Sequence, residues 1–188
     1  MDSNTTNKDS NIMESRQDSN PTESTQDSNP TESITKEEEA RYIELCNMAF
    51  DFARQNNCDV LRDMIEHGLN VNLTNHRGDS LLMLASYHNS YECVKMLLEK
   101  GANVDLKNDK GQTPLAGVCF KGYLNIVKLL VESGANIHEN NGLGMTPFSF
   151  AVMFGRKEVA EYLAQKTKPT FLQNLVLKIM KIFKKKQG

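Results

Sequence analysis

Apolar positions in the middle of this chain return at a fixed interval of 33 residues. Val71, Val104 and Ile137 form one column, and the pairs Met64-Ile65, Leu97-Leu98 and Leu130-Val131 form another. Glycines keep the same interval, as Gly68, Gly101 and Gly134 and again as Gly78, Gly111 and Gly144. Four columns in register over three copies mean stacked supersecondary units, none of which can bury its apolar face alone.

Each unit reads as helix, helix, extended turn. Thr113-Pro114 and Thr146-Pro147 predict helix starts, with Thr as N-cap and Pro in the first helical position. A short helix runs from there to about Gly122 or Gly155. A second follows with Ile126, Leu129 and Leu130 at helical spacing and stops at Gly134, where a left-handed conformation suits glycine. Ala135-Asn136-Ile137 then extends into the turn before Gly144. The fold class that follows is all-α, a solenoid of stacked helix-turn-helix units joined by short β-turn loops.

The flanks follow other patterns. Before residue 36, Lys8-Asp9-Ser10-Asn11 returns as Gln17-Asp18-Ser19-Asn20 and as Gln26-Asp27-Ser28-Asn29, a polar repeat of period nine. Such a segment buries too little apolar surface to offset its ordering entropy, so residues 1–35 are expected to be a disordered acidic leader. Thr35-Lys36-Glu37-Glu38 reads as a capping box that opens the first helix. The repeat domain is expected over 36–168, with about four units and atypical ends. From 169 to 188, Leu172, Leu175, Val176, Ile179, Met180 and Phe183 share a helical stripe and lysines take part of the other face. A basic amphipathic helix of this kind either caps the last unit or meets a membrane surface or partner groove through residues 170–186.

Charge divides the chain the same way. The formal net charge is −2, but residues 1–40 carry ten acids and three bases, while 166–188 carry seven lysines and no acid. No segment reaches the roughly 20 apolar residues of a membrane span, and no apolar stretch near Met1 suggests a secretory signal. Cys46, Cys58, Cys93 and Cys119 have no metal-ligand spacing and lie in apolar stretches, which points to reduced, structural thiols and a cytoplasmic location. His67, His76, His88 and His138 are scattered, and no catalytic or metal-binding constellation is present. Gly142-Leu143-Gly144 lacks the strand and lysine of a phosphate loop. With no basic face on the repeats, nucleic acid is not an expected partner.

Asn108-Asp109-Lys110-Gly111-Gln112-Thr113-Pro114-Leu115, followed by Gly122, Val127-Lys128-Leu129-Leu130 and Gly134-Ala135, resembles the ankyrin-repeat pattern. Gly144-Met145-Thr146-Pro147-Phe148-Ser149-Phe150-Ala151 and the weaker Gly78-Asp79-Ser80-Leu81-Leu82-Met83-Leu84-Ala85 repeat it. The resemblance covers about residues 41–168. Met83, Ala116 and Ser149 stand where the family has a histidine, which removes the residue that bridges neighbouring repeats there.

The resemblance implies a non-catalytic, monomeric module that binds another protein through its concave face and turn tips. The implied contacts are the last exposed residues of each first helix, the pairs before the mid-unit glycine: Tyr87-His88, Phe120-Lys121 and Met153-Phe154. Turn tips add His76, Arg77 and Asp79, then Asp109, Lys110 and Gln112, then Leu143 and Met145. The chain is also similar to small bacterial ankyrin-repeat proteins, some of them accessories to haem enzymes such as catalase. No cofactor is expected in the first reading; in the alternative, a haem-handling role, Tyr87 and His88 are the candidate iron ligands.

Overall fold

The structure is a computed structural model that describes residues 35–142 and 144–167, together with Leu175, Val176, Lys178 and Ile179. The leader before Thr35, the turn-tip Leu143 and the other residues of the basic tail lie outside the described residues. Eight helices are assigned in this span: α1 (Lys36–Gln55), α2 (Cys58–Glu66), α3 (Leu81–Tyr87), α4 (Tyr91–Glu99), α5 (Pro114–Lys121), α6 (Leu124–Glu132), α7 (Pro147–Met153) and α8 (Lys157–Lys166). The described part of the tail is helical too. No strand occurs among the described residues beyond one isolated bridge between Thr74 and Ser80. The all-α repeat architecture read from the period is what the structure contains.

Packing follows the period. α1 lies on α2, α3 on α4, α5 on α6 and α7 on α8, while α1, α3, α5 and α7 form one layer and α2, α4, α6 and α8 a second. The columns from the sequence fill the space between layers: Leu97 and Leu130 are fully buried, as are Leu61, Leu81, Leu115, Ile126 and Leu163. Removing such groups from water at about 25 cal/mol per Å² is the main force holding the units together.

Local chemistry fixes where each helix starts and stops. Thr113 and Thr146 cap α5 and α7, their hydroxyls accepting from the backbone N–H of Ala116 and Ser149, and each is followed by Pro in the first turn. Ser80 does the same for α3, accepting from Met83 N–H at 3.1 Å. Thr35 opens α1 with a capping box: Glu38 N–H donates to its hydroxyl, and its own N–H donates to the Glu38 carboxylate at 2.8 Å. Each cap contributes about 1 kcal/mol. At the break between paired helices the backbone turns left-handed at Asn56, Asn89, Gly122 and Gly155, with φ of 59°, 60°, 90° and 67°. Asparagine is the side chain that tolerates this conformation best, so the first two units break at Asn where the later two use Gly.

The turn tips are stitched to one another. Asn75, Asn108 and Asn141 occupy one column, each 33 residues from the next. Asn75 Oδ1 accepts from the N–H groups of Arg77 and Asp79, and Asn108 Oδ1 accepts from those of Lys110 and Gln112, closing each loop on itself. Between units, Asn108 Nδ2 donates to Asp79 Oδ1 at 2.8 Å, and Asp109 N–H donates to the Arg77 carbonyl at 3.1 Å. Asn141, 4% exposed, reaches back instead to the preceding unit, where it accepts from Thr113 N–H at 2.7 Å and Thr113 Oγ1 at 2.9 Å. The inter-unit bridge is therefore made by asparagine side chains rather than by a histidine at positions 83, 116 or 149.

The first unit departs from the others in one respect. α1 has 20 residues, against 7 for α3, 8 for α5 and 7 for α7. Its early turns expose Tyr42, Ile43 and Leu45. All four cysteines are free thiols, and burial pushes Cys93 up to about 12 and Cys119 up as well, so both stay protonated as small apolar groups. Among the described residues no helix is long and apolar enough to cross a membrane.

Candidate partner-binding groove

The first helices and the turn tips enclose a groove of about 380 Å³. Its wall is built by Arg54 at the end of α1, by Met83, Leu84 and Tyr87 of α3 with His88 just after it, and by Arg77, Asp109 and Lys110 at the tips. The caps explain its position. Ser80 and Thr113 fix the starts of α3 and α5, and Asn89 and Gly122 fix their ends, so residues just before each break come out on the groove side.

Three of the sequence-predicted contacts form a continuous row of rings. Tyr87 and Phe120 lie parallel, with an interplanar angle of 2° and centroids 6.3 Å apart. Phe154 meets Phe120 edge-on at 4.4 Å. His88 meets the Tyr87 ring edge-on at 5.8 Å, and the Lys121 ammonium sits 4.4 Å from the Tyr87 centroid. Aromatic pairs of this geometry contribute about 0.5–1.5 kcal/mol each, so the row is held in place before anything binds. It nonetheless remains in solvent, with Tyr87 38% and Phe154 40% exposed. The row continues through Phe154 and not through Met153, which is 58% exposed and stands beside it. Arg156 fastens the last step, its Nε donating to the Phe120 carbonyl at 2.9 Å.

The turn-tip candidates divide into two groups. His76, Arg77, Asp109 and Lys110 are exposed, whereas Met145 and Gln112 are half-buried. Asp79 faces inward, its side chain 14% exposed, tied to Asn108 and within 3.4 Å of Arg77. His88 has its pKa lowered by partial burial and then by the cationic Arg54 and Lys121, so its ring is neutral near pH 7.

Arg54 belongs to the same column as Tyr87, Phe120 and Met153 but was not among the residues predicted from sequence. The available signal was Asn56, 33 residues before Asn89, which places Arg54-Gln55 in the slot of Tyr87-His88. No group of three or more His, Cys, Asp or Glu side chains among the described residues is placed to hold a metal ion.

Comparison with known proteins agrees with this geometry. Residues 48–141 and 105–174 match the family described as ankyrin repeats (3 copies). A Pseudomonas aeruginosa protein named as an ankyrin repeat protein, PA3287, is 51% identical to this chain over 51 residues, 27% of this chain and 30% of that relative. The chain thus matches less than a third of the relative's length. The repeat period, the paired helices and the family match over residues 48–174 agree, and the chain belongs to the ankyrin-repeat family.

Proposed function

We propose that this chain binds a partner protein along the groove, with Tyr87, Phe120 and Phe154 as anchors. His88, Lys121 and Met153 flank that row, and His76, Arg77, Asp109, Lys110 and Met145 form the rim. Ankyrin repeats generally mediate protein–protein interaction and are generally non-catalytic. The observation that carries the reading is the ring row itself: large apolar groups fixed by mutual contact yet left in solvent. Exposed, preorganised aromatics are the usual energetic centre of an interface. Photo-crosslinking side chains placed at His88 and Met153 should therefore capture the partner. The same groups at Lys95 of α4 and Asn125 of α6, exposed on the opposite layer, should not. Capture from Lys95 and Asn125 alone would put the interface on the wrong side of the molecule.

Haem handling through Tyr87 or His88 is the second reading. His88 favours it, because a neutral imidazole is the form that ligates iron. On the protein-partner reading, haemin titrated into the full chain gives no saturable Soret shift. A saturable shift abolished by His88→Ala would establish the haem role.

A further inference from the structure

The geometry points to an extended acidic segment of the partner as the occupant of this groove, with carboxylates three residues apart and an apolar side chain between them. This rests on the groove reading above and adds the chemistry of what binds there.

Three cations, Arg54, Arg77 and Lys110, line the groove against two carboxylates, Asp79 and Asp109, and Lys121 stands beside it. Arg54 is half-buried and paired with Asp51 at 2.6 Å, and Arg77 lies 3.4 Å from Asp79, which also accepts from Asn108. The Arg77 side chain is 60% exposed. Lys110 and Lys121 have no ion-pair partner among the described residues, and Lys121 rests on the Tyr87 ring instead. Burial is the main cause of the lowered basicity of His88, and the charges of Arg54 and Lys121 add to it, in keeping with both cations lying near this groove-lining imidazole.

Spacing gives the pattern. Arg77 and Lys110 hold the same place on adjacent turn tips, joined by the bond from Asp109 N–H to the Arg77 carbonyl. Adjacent units repeat at the helix packing distance of roughly 10 Å. A polyproline-type extended chain rises about 9.3 Å over three residues and brings residues i and i+3 to the same face. Carboxylates at i and i+3 would then meet Arg77 and Lys110 in turn. A side chain between them falls toward Tyr87 and Phe120, where an apolar or aromatic group has rings to cover. The Arg77 and Lys110 cations at the rim, beside the Tyr87 ring on the wall and Phe120 next to it, are what select an acidic apolar segment over a basic or purely polar one.

A random peptide library displayed on phage and panned on the full chain tests this. Enriched clones should carry Asp or Glu at i and i+3 with an aliphatic or aromatic residue between. A synthetic peptide of that consensus should lose ~10-fold or more in affinity toward Arg77→Glu/Lys110→Glu, with binding weakened by salt in the wild type. Enrichment of neutral or basic peptides would overturn the inference, as would acidic peptides that bind the charge-reversed chain equally well. Failure to enrich any peptide would also overturn it, since it would exclude a linear segment as the docking element. In each of those cases the groove reading is judged separately, by whether the captured partner protein still depends on Tyr87 and Phe154.

Discussion

Gly78→Ala should cost the fold about 2–4 kcal/mol, and Gly111→Ala only about 1 kcal/mol, although both glycines have φ of +71°. A side chain in the left-handed region is strained at either site, and that shared strain is about 1 kcal/mol. What separates them is the neighbouring unit. A Cβ at Gly78 would lie 2.6 Å from Asp109 Oδ1 and 2.8 Å from Asp109 N, whereas at Gly111 it meets nothing within 4 Å. The backbone nitrogen cannot swing away as a flexible side chain can. Relief requires the two tips to separate, which breaks the bond from Asp109 N–H to the Arg77 carbonyl and strains that from Asn108 to Asp79. Urea denaturation of the two variants, compared at constant m-value, measures the difference. Equal losses would mean that the tips of the second and third units are not joined as described.

The same pair shows how far the sequence could be read. Glycine spacing alone places Gly78 and Gly111 in one column, and their identical φ bears that out. The period cannot distinguish a tip backed by its neighbour from one facing solvent. The asparagine column behaves likewise. Asn75, Asn108 and Asn141 are equivalent by interval, yet Asn141 gives its carbonyl oxygen to Thr113 of the preceding unit, while the other two close their own loops. Helix starts were legible because Thr-Pro carries its own physics, a cap hydroxyl followed by a residue with no N–H to satisfy. Arg54 was not, because its unit has no Thr-Pro and lacks the turn glycine of the other three, with Leu45 standing in the column of Gly78, Gly111 and Gly144. The columns through Tyr87 and Phe120 were legible from register. That Phe154 extends the row depends instead on which of two adjacent side chains reaches the Phe120 ring, and interval carries no information on reach.

Loss of the ring row should have the largest effect on binding. Aromatic anchors at an interface typically cost about 2 kcal/mol or more each on truncation and add incompletely, so Tyr87→Ala/Phe154→Ala should weaken the partner complex by ~100-fold or more. The double variant removes both ring contacts to Phe120 and should lose about 1–3 kcal/mol of stability, so its affinity is read at a temperature where circular dichroism shows it fully folded and lost affinity is not lost structure. Phe120→Ala, removing the ring that both others touch, should weaken binding further at some cost in stability. Lys95→Ala and Asn125→Ala, exposed on the other helical layer, should leave affinity within about twofold of wild type. The decisive measurement is the affinity of a partner captured by the wild-type chain, determined side by side for Tyr87→Ala/Phe154→Ala and for Lys95→Ala/Asn125→Ala. Loss of ~100-fold in the first and little change in the second is the predicted result; equal retention by both would contradict the groove as the binding site.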